Sequence, residues 1–281
     1  MHLQRLWLTD FRSYSSAELE LPTGLCALVG RNGEGKSNLI EAVAYLSTLE
    51  SFRGAPVEAL IRSGAPSAVV RGEVVNEGRV QLVEAEINRT GRNRVQLNRQ
   101  RVGRSRDLLE ALRVTVFAPD DLELLKGGPQ VRRQFLDRAL VLERPPLDSV
   151  RSDFERAVRQ RNALLKQARG RLDDAAAITL DVWDTKLVSA GEELVRLRTD
   201  LCARLVPFVT GAYRDVAGAE AEVHLRYEAP WREVGLAAAV AAARSDDVRR
   251  GITTVGPHRD ELAVALDGLP SRTHASQGEQ R

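Results

Sequence analysis

Eight consecutive residues, Gly30-Arg31-Asn32-Gly33-Glu34-Gly35-Lys36-Ser37, satisfy the pattern G-x-x-x-x-G-K-[ST]. Those residue types at that spacing suit one chemistry. Backbone N–H groups of a glycine turn and the dipole of a following helix face an anion. Lys36 then reaches the β- and γ-phosphates, and the Ser37 hydroxyl ligates Mg²⁺, with Asn38 next in the same turn. A glycine-rich turn that happens to precede Lys-Ser would match the pattern too, but it would not need a strand before it and a helix after it. Here Gly24-Leu25-Cys26-Ala27-Leu28-Val29 reads as a short buried strand, and Asn38 to Leu46 places apolar residues at helical spacing. The setting favours a nucleoside triphosphate site.

A second constellation lies at the far end. Ser276-x-Gly278-x-Gln280 has the shape of the ABC-type signature motif, a serine and a glycine at the start of a helix. In such ATPases this element caps the γ-phosphate held by a second subunit, so Ser276 and Gly278 would act in trans. A plain Ser N-cap with Glu279 three residues on, a capping box, accounts for the same residues. The P-loop some 240 residues earlier, with a helical insertion between, favours the signature. A hydrolase of this kind also needs an acidic pair at the end of an apolar strand. The nearest candidate, Phe117-Ala118-Pro119-Asp120-Asp121, is too early and contains a proline. In ABC-type heads that strand follows the signature helix, so the chain looks like an incomplete head and its hydrolysis is left open.

Arginines form the third feature. Arg89, Arg92, Arg94, Arg99, Arg101, Arg104 and Arg106 occur with no acid between Glu86 and Asp107, interleaved with Asn and Gln. On a hairpin they could grip DNA phosphates without reading sequence, or form a solvated face. His258, in Gly256-Pro257-His258, could be a sensor or catalytic histidine, although such a turn more often makes a hydrogen-bonded corner. Arg132 and Arg133 suggest no ligand.

These residues sit in 281 positions, enough for one large domain or two small ones. The apolar share of 43% and charged share of 28% are ordinary for a soluble chain, and exclude a disordered one. A net charge of +2 gives no global basic signal, so any nucleic-acid site must be local. The start alternates like a strand and lacks the apolar core of a signal peptide, and the alanine-rich run 235–243 is too short to span a bilayer. Cys26 and Cys202 lack partners at metal or redox spacing and read as packing residues in a reducing cytosol.

Strand signals at 3–9, 17–21 and 25–29 precede the P-loop helix. A hairpin of 68–75 and 80–87 follows around Asn76-Glu77-Gly78-Arg79, then strands at 94–98 and 114–117. From about Pro129 the period becomes helical, over 130–142, 147–168 and 175–213. In the last of these Leu187, Leu194, Leu201 and Phe208 are spaced by seven, an apolar seam suited to a helix pair or to packing on a globular core. A strand at 221–227, a helix near 231–243 and a hairpin at 262–268 complete the pattern. The reading is an α/β fold: a P-loop, ABC-type ATPase head with a mixed-sheet lobe (1–128), a helical lobe (129–217) and a return to the ATPase core (218–281).

Several blocks, in order along nearly the whole chain, resemble the RecF family of bacterial recombination-mediator ATPases, relatives of SMC-type heads. They are Asp10-Phe11-Arg12-Ser13-Tyr14; the P-loop with Asn32, Asn38, Leu39 and Glu41-Ala42; Phe117 to Asp137; Gln160 to Lys166; Trp183-Asp184 with Gly191; Gly256 to Asp260; and Ala275 to Arg281. The resemblance implies a two-lobed cytosolic head that binds ATP and Mg²⁺ between the heads of a homodimer and clamps gapped or junction DNA, single- or double-stranded. It implies slow hydrolysis, partnership with RecR and RecO, help in loading RecA, and a bearing on the SOS response. Arg12 resembles a phosphate-contacting arginine of related heads; a surface salt bridge is the alternative. Two other classes compete: the ATPase subunit of a membrane transporter, and a nucleotide-binding module that does not hydrolyse. Ala275 before Ser276, where a transporter signature has leucine, weighs against the first.

Overall fold

Alternation in the first strand sets the architecture: Leu6 and Leu8 are buried on one face of β1 (His2–Phe11) while Arg5 and Thr9 stay partly solvated on the other. β1 pairs antiparallel with β2 (Tyr14–Glu20) and with β3 (Ser67–Asn76); β3 pairs with β4 (Arg79–Asn88), β4 with β5 (Arg94–Leu97), and β5 with β6 (Gln100–Arg101). The six strands thus run in the order β2-β1-β3-β4-β5-β6, every ladder antiparallel. Between β3 and β4 the two-residue turn has positive φ at both Glu77 (50°) and Gly78 (76°), the geometry that matches strand twist. The P-loop helix α1 (Lys36–Thr48) lays Leu39, Ala42, Tyr45 and Leu46 into the core with Val70, Val74, Val83 and Ile87. Its approach to the sheet requires Gly72, where a Cβ would stand 2.6 Å from Leu46 Cδ1 and 2.9 Å from Leu3 Cδ1. A short helix α2 (Leu108–Ala111) adds Leu108 and Ala111 to the same core.

The computed structural model describes residues 1–218, 220 and 222–274, and forms two units, one ending at Phe117 and one beginning at Ala118. The second unit opens with a short helix α3 (Glu123–Lys126) and continues into α4 (Pro129–Glu143), α5 (Asp148–Ala168) and the 44-residue α6 (Asp174–Ala217). Proline at the first position of α4 and Asp173 capping α6, its carboxylate accepting from Ala176 N–H at 2.7 Å, start two of these helices. Strand β7 (Val223–Glu228), helix α7 (Leu236–Arg250), strands β8 (Glu261–Leu266) and β9 (Leu269–Pro270) and the single turn α8 (Ser271–His274) follow. The segment after residue 222 shares one core with the helices: Leu136, Phe154, Leu187 and Leu194 cluster with Tyr227, Trp231, Leu236 and Leu262. Gly191 lets α6 and α7 meet, since a Cβ there would lie 2.6 Å from Leu236 Cδ2. Among the described residues no helix is long and apolar enough to cross a membrane.

Three expectations need correction. Residues 25–29 are not a strand, and Leu25 and Val29 are 99% and 93% exposed, with Cys26 exposed beside them. Apolar character marks a segment able to be a buried strand, but pairing makes it one, and no described strand lies alongside to take its hydrogen bonds. Residues 114–117 likewise stay unpaired, with Phe117 76% exposed. The apolar seam of α6 buries Leu187, Leu194 and Leu201 but leaves Phe208 74% exposed, because no other described element covers that part of the helix.

Candidate functional site

The glycines of the P-loop do what only glycine does easily. Gly33 (φ 91°) and Gly35 (φ 95°) take left-handed conformations that turn the chain into α1. Gly35 is the N-cap of α1 and brings no side chain to its first turn, where Asn38 N–H donates to Gly35 O at 2.8 Å; an anion would meet the N–H groups before Asn38. A Cβ on Gly35 would also meet Ser13 Oγ at 2.8 Å and the Tyr14 hydroxyl at 2.9 Å, so the loop is seated on the turn that follows β1. Lys36 lies back across the loop, its Nζ donating to the carbonyls of Gly30 (2.6 Å) and Arg31 (2.7 Å). Glu34 Oε2 accepts from Arg31 N–H at 2.8 Å, which shows that a loop amide is already shaped to meet an anionic oxygen.

Ser37 is exposed in the first turn of α1. Among the described residues no group of three or more His, Cys, Asp or Glu could hold a metal. Mg²⁺ carried by a nucleotide takes one or two protein oxygens and completes its shell from phosphates and water. The hydroxyl expected to supply one, that of Ser37, is on an exposed residue.

Behind the loop stands a buried carboxylate, Glu41, which the sequence reading named within the family's motif without giving it a role. Glu41 projects from α1 into the interior and takes a two-pronged contact from Arg12, Nε to Oε2 at 2.8 Å and Nη2 to Oε1 at 2.7 Å. Ser51 Oγ donates to Oε1 at 2.5 Å, and Arg53 Nη1 lies 3.8 Å from the carboxylate. Burial pushes the Glu41 pKa up, but the Arg12 and Ser51 hydrogen bonds and the two guanidinium charges outweigh it and hold the pKa below the usual range. Arg12 itself has φ 53° and donates Nη1 to Ala59 O at 2.8 Å. Asn38 Nδ2 donates to Ser13 Oγ (3.0 Å), and Arg53 Nη1 to Asn38 Oδ1 (3.3 Å). Arg12, Ser13, Asn38, Arg53, Ser63 and Arg89, with Glu58, Ala59 and Ile61, line an open surface cleft of about 610 Å³ in this unit. The sequence signal for Glu41 was an acid inside the apolar face of a helix, a place that demands a partner.

The second unit holds a separate network, and it draws in residues of the blocks between Phe117 and Asp260; the block Ala275 to Arg281 lies outside the described residues. Arg161, fully buried, donates Nε to Asp184 (2.6 Å) and Nη1 to Asp247 (2.6 Å) and Thr253 Oγ1 (3.0 Å). Arg198 grips Asp137 with Nε (2.8 Å) and Nη2 (2.9 Å), and donates Nη1 to the Tyr227 hydroxyl and to Pro257 O, both at 2.9 Å. Tyr227 OH and Trp231 Nε1 donate to Asp260 at 2.9 and 2.8 Å. Burial raises the Asp260 pKa to about 6 against those bonds and the nearby arginine charges. Arg132 pairs with Glu261 through Nε and Nη2, and Arg133 donates to Asp260 O at 2.6 Å, so both have internal partners. His258 Nε2 donates to Thr253 O at 3.1 Å and the residue is half-buried, the hydrogen-bonded corner rather than an exposed acid or base.

Arg92, Arg94, Arg99 and Arg101 are exposed around β5 and β6 and make no ion pair among the described residues. Arg89, also exposed, donates Nε to Ala65 O at 3.1 Å and reaches the open cleft. Ser276 and Gly278 lie outside the described residues.

A glycine-turned P-loop at the N-terminus of a helix laid on a sheet, with a helical second unit, defines an ABC-type ATPase head. The model of the RecF/RecN/SMC N terminal domain matches residues 2–278. A DNA replication and repair protein RecF from Frankia alni is 46% identical over 99% of this chain and 78% of its own, and one from Streptomyces avermitilis 45% identical over the same shares. The chain belongs to the RecF family. Its fold is similar to the solved structure of the recombination mediator protein RecF-ATPrS in the RecFOR pathway, with TM-score 0.89 and 26% identity over 100% of this chain and 77% of that one. A Pyrococcus furiosus Smc head domain, at TM-score 0.51 and 15% identity over 99% of this chain and 76% of that one, shares the fold.

Proposed function

We propose that this protein is an ATP-dependent DNA-binding clamp of recombinational repair. The observation that carries the reading is the P-loop: a helix N-terminus capped by glycine, with the Lys36 ammonium held across it. The relative solved as RecF-ATPrS supports ATP as the nucleotide. Phosphates of ATP are bound by residues 30–38, Lys36 neutralises the β- and γ-phosphates, and Ser37 supplies an oxygen to Mg²⁺. Arg12 is read into the same site because it lines an open cleft with Asn38, the residue after Ser37. Ser276 and Gly278 of a second subunit cap the γ-phosphate, so ATP closes a homodimer on gapped or junction DNA in the cytoplasm. Hydrolysis, where it occurs, is slow and sets the lifetime of the clamp. RecR and RecO are the partners and RecA the recombinase whose loading is promoted, a reading supported by the RecFOR setting of the solved relative.

The test is calorimetric titration with ATP and Mg²⁺. Lys36→Ala should weaken binding by about a hundredfold or more, since two or more charge-assisted contacts are lost. Lys36→Arg should bind better than Lys36→Ala and turn over poorly, because its longer planar head misplaces the charge. Equal ATP affinity for wild type and Lys36→Ala would overturn the site.

A further inference from the structure

We infer that Glu41 is a positioning residue for nucleotide binding, acting through Arg12 and Arg53; the inference rests on the P-loop being the ATP site. Glu41 lies on α1, one turn beyond Lys36 and Ser37, and is fully buried. A buried carboxylate must be neutralised, and here both oxygens are taken. The paired contact from Arg12 fixes the plane of its guanidinium, not merely its distance. A guanidinium has five N–H groups. Arg12 gives one to each Glu41 oxygen and one to Ala59 O, and the remainder belong to a side chain that lines the open cleft.

Arg53 is tied to the same point from the other side. Its Nη1 is 3.8 Å from Glu41 and 3.3 Å from Asn38 Oδ1, and Asn38 directly follows the P-loop serine. Ser51, two residues earlier, holds the segment down through Glu41 Oε1. One carboxylate on α1 thus anchors two cations, Arg12 and Arg53, on the wall of a cleft that they line together with Asn38. Without it Arg12 and Arg53 repel each other and lose their common anchor. The group reached by these cations is a phosphate or the sugar joined to it.

The experiment pairs ATP calorimetry with ligand-free melting, using Lys36→Ala, Glu41→Gln and the double variant Arg12→Met/Glu41→Met. Glu41→Gln should weaken ATP binding about tenfold, the effect of misplacing one charge-assisted contact. The double variant replaces a buried ion pair by apolar groups of similar length, a change that commonly preserves stability. It should therefore melt close to wild type yet still bind ATP about tenfold or more weakly. Wild-type ATP affinity in either Glu41 variant overturns the inference and leaves the pair a structural bridge. If Glu41→Gln fails to fold, the double variant decides. Undiminished binding by Lys36→Ala overturns the ATP site itself, and the inference with it, so the two failures are told apart.

Discussion

His258 is a base that the fold keeps neutral. Burial strips its charged form of water and lowers its pKa from 6.5 to about 4; the bond to Thr253 O opposes this, and the charges of Arg259 and Arg133 add to it, with Asp247 pulling the other way. A folded-state pKa below the unfolded one means that the contribution to stability is complete above pH 6.5 and is lost as pH falls through 6.5 toward 4. Asp260, raised from 3.8 to about 6, runs the other way: its contribution is complete below its unfolded value and lost as pH rises through 6. The two slopes oppose each other in the wild type, so the clean reading is a difference curve. His258→Gln keeps a donor for Thr253 O and does not titrate. Urea midpoints across pH 4 to 7 should show the wild-type advantage shrinking by up to about 3 kcal/mol on acidification. A difference that does not change with pH would mean His258 titrates alike in both states. At this scale the P-loop was legible because its chemistry is consecutive in sequence. Glu41, Arg161 and Arg198 were not, since their partners come from positions 12, 51 and 53, from 184 and 247, and from 137 and 227.

Among the elements, the hairpin of β3 and β4 and the helices α4 to α6 follow their sequence periods closely, because local turn chemistry and burial point the same way. Residues 25–29 and 114–117 did not, because a strand is fixed by neighbours that no local pattern names. The heptad-like spacing in α6 stops being a seam at Phe208, where the register continues but the packing does not. The arginines around β5 and β6 make a prediction that belongs to this level. Arg94 and Arg101 lie on β5 and β6 at the edge of the sheet and Arg92 and Arg99 in the adjoining turns. All are exposed and without an ion pair among the described residues, an arrangement suited to phosphates rather than base edges. Replacing Arg92, Arg94 and Arg99 together with Ala should weaken DNA binding equally for all sequences and reduce the salt slope by up to about one unit per lost contact. An unchanged slope would make this a solvated face and place DNA elsewhere.

For the whole molecule, two units with separate cores serve different ends. The first holds the P-loop, the Glu41 cluster and the exposed arginines; the second is braced by the buried network around Arg161 and Arg198. Parts of what marks the family in the sequence, between Gln160 and Lys166 and between Gly256 and Asp260, build that network through Arg161, Asn162 and Asp260. Assembly in response to ATP is the property on which the proposed clamp stands. Sedimentation velocity with and without saturating ATP and Mg²⁺ reads it directly, on wild type, Lys36→Ala and Ser276→Arg. Wild type should sediment as a dimer only with ATP. Ser276→Arg should bind ATP nearly as well and stay monomeric, since on the proposed capping in trans a bulky cation would stand where the hydroxyl must meet the partner's phosphate. Lys36→Ala should lose both binding and dimer. A wild type that remains monomeric at saturating ATP, or a Ser276→Arg protein that dimerises as wild type does, would contradict the clamp.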